Sequence, residues 1–141
     1  MERVLFICVH NAGRSQMAEA FFNQLALEQG LDAVATSAGN RPATAVYPSV
    51  VQSLAEVGLS IEGQFPKGLT PTIRAWPTRV ITLSSETAAP APAAEGDCAA
   101  EAWDVPDPRD EPIEAVREIR DTIHTRVATL IQTIVSGKLP G

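Results

Sequence analysis

The chain has 141 residues, the usual size of one domain, with 45% hydrophobic and 20% charged residues as in ordinary globular proteins. We therefore expect a single domain over residues 1–141. Its formal net charge of −6 argues against a surface that binds nucleic acid or an anionic membrane, although one local cationic pocket is compatible with it.

No hydrophobic run approaches the roughly 18–20 residues that cross a bilayer, and we find no signal-peptide pattern at the N-terminus. The chain has two cysteines, Cys8 and Cys98, too few for a disulfide framework. We therefore expect a protein of the reducing cytoplasm. The cysteines and the two histidines are widely spaced and form no zinc-binding pattern.

The first third of the chain predicts a strand, a helix and a second strand. Residues 3–8 are hydrophobic on both faces, as in a central parallel strand. Hydrophobic residues recur at helical spacing over 15–29, and Gly30 stands where a helix ends. Residues 33–38 predict a short strand that ends before Gly39.

The rest of the chain predicts two more strands and a long final helix. Pro48 opens a helix that Gly58 ends, and residues 69–76 predict a short helical turn. Residues 79–83 predict the third strand, and a weak fourth surrounds Trp103. Between these strands, residues 84–102 are rich in alanine and proline and predict a long mobile loop. Residues 112–136 predict one amphipathic helix.

This order of elements predicts an α/β fold, with a parallel sheet and helices on both faces. Ligands of such sheets bind beyond the carboxyl ends of the strands. Cys8 stands at the end of the first strand.

Cys8 and Arg14 enclose five residues at this strand-to-helix junction, and Ser15 follows. The pattern predicts a pocket for a tetrahedral oxyanion, because the amides of a tight loop and of a first helical turn converge as donors. We expect Arg14 to grip two oxygens, and Cys8 to be held as a nucleophilic thiolate. The loop that forms the cradle consists of Val9, His10, Asn11, Ala12 and Gly13.

Within the loop, Gly13 allows a left-handed backbone, and Asn11 tolerates one. Ser15 either caps the helix or donates a hydrogen bond to the sulfur of Cys8. The side chain of His10 is interpreted as solvated.

Four segments in this order resemble one known family, the low-molecular-weight tyrosine-phosphatase fold, and within it the arsenate reductases. They are residues 8–19 (with Arg-Ser-Gln-Met-Ala-Glu after the loop), 36–39, 66–69 and 103–108. The resemblance covers nearly the whole chain. It implies a three-layer α/β/α fold around a four-stranded parallel sheet, and reduction of arsenate through a covalent thiol–arsenate intermediate in arsenic detoxification.

The resemblance also implies site roles: Cys8 as nucleophile, Arg14 as oxyanion clamp, and Ser15 and Asn11 as supports of the thiolate and the loop. Asp107, followed by Pro108, resembles the general acid that protonates the departing oxygen. Asp104 and Asp110 are neighbouring candidates for that role, interpreted as solvated loop carboxylates.

The phosphatases usually carry a tyrosine after Asp-Pro, and this chain has Arg109 there instead. Its single tyrosine, Tyr47, precedes a helix and is assigned to packing. A small inorganic substrate, arsenate, therefore fits better than phosphotyrosine, with phosphate or sulfate as competing oxyanions.

Reduction of arsenate needs a second thiol. Thioredoxin-coupled relatives have two further cysteines after the third strand, where this chain has Ser84 and Ala91. Either Cys98 is a displaced resolving thiol, or an external thiol such as mycothiol, bacillithiol or glutathione attacks and a glutaredoxin-like protein completes the cycle. We favour the external thiol, and expect no bound cofactor.

Relatives of this fold hold a monovalent cation with residues resembling Asn11, Glu19 and Ser37. Lys67 falls near that position, so we predict that its ammonium replaces the cation and that there is no metal site. Two other functions stay open: a phosphatase acting through a phosphocysteine, and a redox-inactive oxyanion-binding protein.

Overall fold

The computed structural model describes residues 1–84 and 99–136. Its strands are β1 (Glu2–Cys8), β2 (Ala33–Gly39), β3 (Arg79–Ser84) and β4 (Ala99–Asp104). Its helices are α1 (Arg14–Glu28), α2 (Pro48–Ala55), α3 (Pro71–Ala75) and α4 (Ile113–Val135). All eight elements occur in the predicted order. Each helix within these residues is too short or too polar to cross a membrane.

The four strands form one parallel sheet in the order β2-β1-β3-β4, as the α/β interpretation requires. The strand that carries Cys8 is an interior strand, which explains why it is hydrophobic on both faces. Cys8 lies opposite Gly39 of β2. The carboxyl ends of β1 and β2 therefore meet at the edge of the sheet where ligands bind in this fold class.

The two faces of the sheet are covered unequally. Val4, Phe6 and Cys8 face a large core that α1, α2 and α4 complete, and the ring of Phe6 lies 6.1 Å from that of Phe22. Leu5 and Ile7 face a smaller cluster on the other side, against which residues of and near α3 pack. Helices thus lie on both faces, as predicted, and the second face carries the five-residue α3 among the described residues.

The bounds predicted for the long loop were wrong. Ser84 is the last residue of β3. The fourth strand includes Trp103, as predicted, but it already starts at Ala99, inside the range predicted as loop. The alanines of β4 have weak intrinsic preference for strands, but their backbone groups pair in register with β3, from Ala99 opposite Arg79 onward. Residues 85–98, the rest of the range predicted as loop, lie outside the described part of the chain.

An ion-pair cluster joins α2 to α4. The Arg120 guanidinium, 9% exposed, donates to the Ser53 carbonyl at 2.9 Å and to Glu56 at 3.1 Å. Arg117 reaches both oxygens of Glu56, at 2.9 and 2.7 Å. Hydrogen bonding from Arg117 is the main reason why the pKa of Glu56 is lowered from 4.5 to about 2.

We expect Glu56→Gln to lower the urea midpoint at neutral pH, and this difference from the wild type to shrink as the pH falls from 4.5 towards 2. A carboxyl whose pKa is lower in the folded chain stabilises it above the unfolded pKa and loses that effect as it takes up its proton. Urea titrations followed by circular dichroism at several pH values measure this. An equal difference at every pH would contradict the assignment.

Candidate active site

The residues from Val9 to Gly13 form a loop, here called the anion loop, between the end of β1 and the start of α1. Cys8 lies at its base and is 4% exposed. The loop passes closely over the end of β2, because a Cβ atom on Gly39 would lie 2.7 Å from the Val9 carbonyl oxygen. Glycine at position 39 therefore allows the loop to close over the sulfur.

The carbonyl groups of the anion loop are turned towards residues 41–47. Three of them accept backbone hydrogen bonds: Val9 from Arg41 at 2.8 Å, His10 from Ala43 at 3.0 Å, and Ala12 from Tyr47 at 3.0 Å. In a planar trans peptide the N–H group points away from the C=O group. The N–H groups of the same three peptides therefore point to the opposite side, which is the arrangement that an oxyanion cradle needs.

The left-handed residue of the anion loop is Asn11, with φ of 50°, as the sequence allowed. Gly13 does not use the left-handed conformation that it allows, since its φ is −140°. Glycine is needed there for space: a Cβ atom would lie 2.8 Å from Cγ of Pro108. The close contact brings the Asp107-Pro108 segment over the anion loop.

Ser15 contacts the Cys8 sulfur, and Asn11 in turn contacts Ser15. The Oγ atom of Ser15 lies 2.9 Å from Cys8 Sγ and accepts a hydrogen bond from Asn11 Nδ2 at 2.6 Å. The Ser15 hydroxyl proton is therefore free to point at the sulfur. The alternative role of Ser15 as helix cap is wrong, because Gly13 precedes the helix and no side chain caps it.

Arg14 is 4% exposed, and Val105 and Asp107 contact its two terminal nitrogens. Its Nη1 atom donates to the Val105 carbonyl at 2.9 Å, and Nη2 lies 3.7 Å from Asp107 Oδ2. Nε has no hydrogen-bond partner among the described residues. A buried donor without a partner is costly, so this edge of the guanidinium is suited to receive an anion.

Of the three candidate acids, Asp107 lies beside Arg14. Its Oδ1 accepts the Arg109 backbone N–H at 3.0 Å, and its side chain is 36% exposed. Asp104 is an exposed residue at the end of β4. The Asp110 side chain is 91% exposed and pairs with Arg109. The geometry therefore favours Asp107 as the acid.

Tyr47 is a site residue whose position the sequence did not reveal. It packs against the core, as assigned, but its ring atom Cδ2 also lies 3.3 Å from where a Cβ on Gly13 would be. Burial, and next the charge of Asp107, raise the pKa of its phenol. The Tyr47 side chain therefore lies close enough to the site for its charges to act on the phenol. The signal available in the sequence was its place after β2, whose carboxyl end adjoins that of β1.

His10 is exposed, with Nδ1 3.2 Å from the Arg41 carbonyl oxygen, in keeping with a loop histidine. Cys98 lies outside the described residues.

Beneath the anion loop, Glu19 faces a hydroxyl and an ammonium group. Ser37 Oγ donates to Glu19 Oε1 at 2.6 Å, and Lys67 Nζ lies 3.8 Å from the same oxygen. The pKa of Glu19 is raised, because the effect of burial is larger than the opposing effects of Ser37 and Lys67. The described residues contain no group of three His, Cys, Asp or Glu side chains that could hold a metal. The Lys67 ammonium therefore brings a positive charge to the buried side of Glu19 where the resemblance implies a cation.

Comparison with known proteins agrees with this geometry. A putative arsenate reductase of Halobacterium salinarum is 34% identical over 89% of this chain and 87% of its own length. A glutaredoxin arsenate reductase of Synechocystis is 29% identical over 95% of this chain and 99% of its own.

Solved structures are similar as well. An arsenate reductase in a phosphate-binding state superposes with a TM-score of 0.84 at 30% identity, covering 95% of this chain and 99% of that chain. A thioredoxin-dependent arsenate reductase of Corynebacterium glutamicum gives 0.79 at 33% identity, covering 98% of this chain and 64% of that one. The family described as low molecular weight phosphotyrosine protein phosphatase matches residues 3–138. The chain therefore belongs to this family, and arsenate reductases are among its relatives.

Proposed function

We propose that this protein reduces arsenate to arsenite through a covalent adduct on Cys8. The observation that carries the proposal is the buried sulfur at the base of the anion loop, beside an arginine whose Nε lacks a partner among the described residues. Arsenate is a tetrahedral oxyanion that a cradle of amides and a guanidinium can bind. The relatives named arsenate reductase support this choice of substrate.

In the first step the Cys8 thiolate attacks arsenic, an S–As bond forms, and one As–O bond breaks. The departing oxygen leaves as water after it receives a proton, and Asp107 is the residue that we assign as its donor. The Ser15 hydroxyl stabilises the sulfur anion before attack. The free edge of Arg14 balances charge on the arsenate oxygens.

In the second step another thiol attacks the Cys8 sulfur, and the S–As electron pair leaves with arsenic. The two sulfurs become a disulfide, losing two electrons, and As(V) becomes As(III) in arsenite. Because Ser84 follows Leu83 at the end of β3, we propose that an external small thiol makes this attack and that a glutaredoxin-like protein restores Cys8. The reaction needs reduced thiols, in keeping with the cytoplasm.

The test is arsenate-dependent oxidation of NADPH with three coupling systems: thioredoxin with its reductase, glutathione with glutaredoxin, and mycothiol with mycoredoxin. We expect turnover with a small thiol, and unchanged turnover in Cys98→Ser. Turnover with thioredoxin alone that disappears in Cys98→Ser would assign the second thiol to Cys98. No turnover in any system would overturn the reductase proposal.

A phosphatase is the second candidate, and the position of Tyr47 favours it, because its ring supplies an aromatic surface near the anion loop. Hydrolysis of an aryl phosphate through a phosphocysteine tests this function. Efficient hydrolysis without arsenate reduction would replace the first proposal. Failure of both reactions would leave an oxyanion-binding protein.

We expect Asp107→Asn to slow adduct formation by at least about 10²-fold, because an amide cannot supply the proton to the departing oxygen. Rapid-quench measurement of the first turnover detects this loss. Asp104→Asn and Asp110→Asn are the matched controls, and we expect both to react like the wild type. A larger loss in either control than in Asp107→Asn would reassign the acid.

We propose that Lys67 takes the place of a monovalent cation against Glu19. Lys67→Met is then expected to acquire a rise in its thermal midpoint with KCl that tetramethylammonium chloride does not reproduce, because the uncovered carboxylate favours a small cation. The wild type and an Arg74→Met control on α3 should respond equally to both salts. Identical responses in all three proteins would contradict the assignment.

A further inference from the structure

A chain of buried polar side chains runs from the Cys8 sulfur to a surface cavity. Gln16, in the first turn of α1, is fully buried although it is polar. Gln64 is half-buried and lines a cavity of about 630 Å³ beside α2. Neither residue belongs to the anion loop, and neither has a role in the proposed reaction so far.

Backbone groups fix which way each side-chain amide points. The Lys67 N–H donates to one end of the Asn11 amide at 2.8 Å, so that end is the oxygen. The nitrogen of the Asn11 amide therefore faces Ser15. One end of the Gln16 amide lies 3.0 and 3.1 Å from the carbonyl oxygens of Asn11 and Phe65, so that end is the nitrogen.

The Gln16 oxygen must then face Gln64, whose Nε2 donates to it at 2.6 Å. Gln16 Nε2 also lies 3.1 Å from Asn11 Oδ1. The four hydrogen bonds therefore run in one direction: Gln64 to Gln16, Gln16 to Asn11, Asn11 to Ser15, and Ser15 to the Cys8 sulfur. Aligned hydrogen bonds polarise one another, and here the positive end of every dipole points towards the sulfur.

We propose that Gln16 and Gln64 are positioning residues for the Cys8 thiolate, acting through Asn11 and Ser15. Gln16 also holds the carbonyl of the left-handed residue Asn11, and so fixes the backbone of the anion loop. Gln64 donates to the Gln16 oxygen from the cavity side and so supplies the first hydrogen bond of the chain. The inference rests on Cys8 being the nucleophile, but its test uses no arsenate and can therefore fail independently of the reductase proposal.

The experiment follows the pH dependence of Cys8 alkylation by iodoacetamide, with mass spectrometry of the peptide that carries Cys8, so that Cys98 does not contribute. Gln16→Met and Gln64→Met remove the amides and keep similar volumes. We expect the pH midpoint of Cys8 alkylation to rise by about one pH unit in Gln16→Met, which means about tenfold slower alkylation well below the midpoint. In Gln64→Met we expect a rise of about half a pH unit. The limiting rate at high pH should not change.

Gln24→Met is the matched control, because Gln24 lies on the same helix and, among the described residues, donates to the exposed Glu28. We expect its profile to equal that of the wild type. Gln64→Lys, which keeps an N–H donor at the cavity end, should show no upward shift. Gln64 is half-buried, so its variants decide the question even if Gln16→Met does not fold. Midpoints in folded Gln64→Met and Gln16→Met that coincide with the Gln24→Met control would overturn the proposal.

Discussion

Cys8→Ser is expected to abolish arsenate reduction while leaving oxyanion binding intact. The hydroxyl of a serine at position 8 stays protonated and is a poor nucleophile. An oxygen also cannot form the disulfide by which the sulfur transfers two electrons to arsenic. The cradle of amides and Arg14 does not include the sulfur, so phosphate and arsenate should still bind. Turnover in the coupled assay, together with oxyanion binding measured by calorimetry, separates the two effects.

Cys98→Ser is the matched control for Cys8→Ser, since it removes the other thiol of the chain. With an external small thiol as reductant, we expect it to keep the wild-type rate. Turnover that persists in Cys8→Ser and disappears in Cys98→Ser would exchange the roles of the two cysteines.

Arg14→Lys is expected to lower kcat/KM by about 10³–10⁴-fold, comparable to the loss of other arginines that clamp a reacting oxyanion. A lysine ammonium keeps the charge but not the planar pair of donors, and it cannot both bind the Val105 carbonyl and present a free edge to the anion. The measurement is steady-state kinetics with arsenate. Arg74→Lys on α3 is the control, and we expect it to change nothing.

Arg14→Lys should lower both kcat and the affinity for arsenate, because in the proposed mechanism the guanidinium binds the anion both before and during attack. A variant that keeps kcat and changes only KM would mean that Arg14 binds the ground state and the transition state equally. Wild-type kinetics in Arg14→Lys would remove it from the site.

The order of strands and helices could be predicted because each element carries its own periodic pattern. Residues 3–8 are hydrophobic on both faces since β1 is an interior strand, and Pro48 opens α2 as its fixed backbone angle predicts. The start of β4 at Ala99 could not be predicted. Alanines there form a strand only because β3 offers a partner in register, which is a long-range contact.

The core of the site was predictable because Cys8, Arg14 and Ser15 are close in sequence. Contacts between distant segments were not. Arg14 reaches the Val105 carbonyl and Gln16 reaches the Phe65 carbonyl, and no local pattern encodes such pairs. Gln16 did carry one signal, a polar side chain among the buried residues of the first turn of α1, and a buried amide requires partners.

The conformation of the anion loop was predicted only in part. Asn11 and Gly13 are both residues that accept positive φ, so their types alone do not say which adopts it. The answer comes from packing: Pro108 occupies the space next to Gly13, while the Asn11 side chain is held by Lys67, Gln16 and Ser15.

The most direct test of the mechanism is the chemical state of Cys8 after one turnover with arsenate and a small thiol, quenched in acid and read by mass spectrometry. We expect the thiol to be attached to Cys8 by a disulfide bond, in an amount equal to the arsenite released. Arsenite formed while Cys8 remains a free thiol would contradict a mechanism in which this sulfur carries the arsenic.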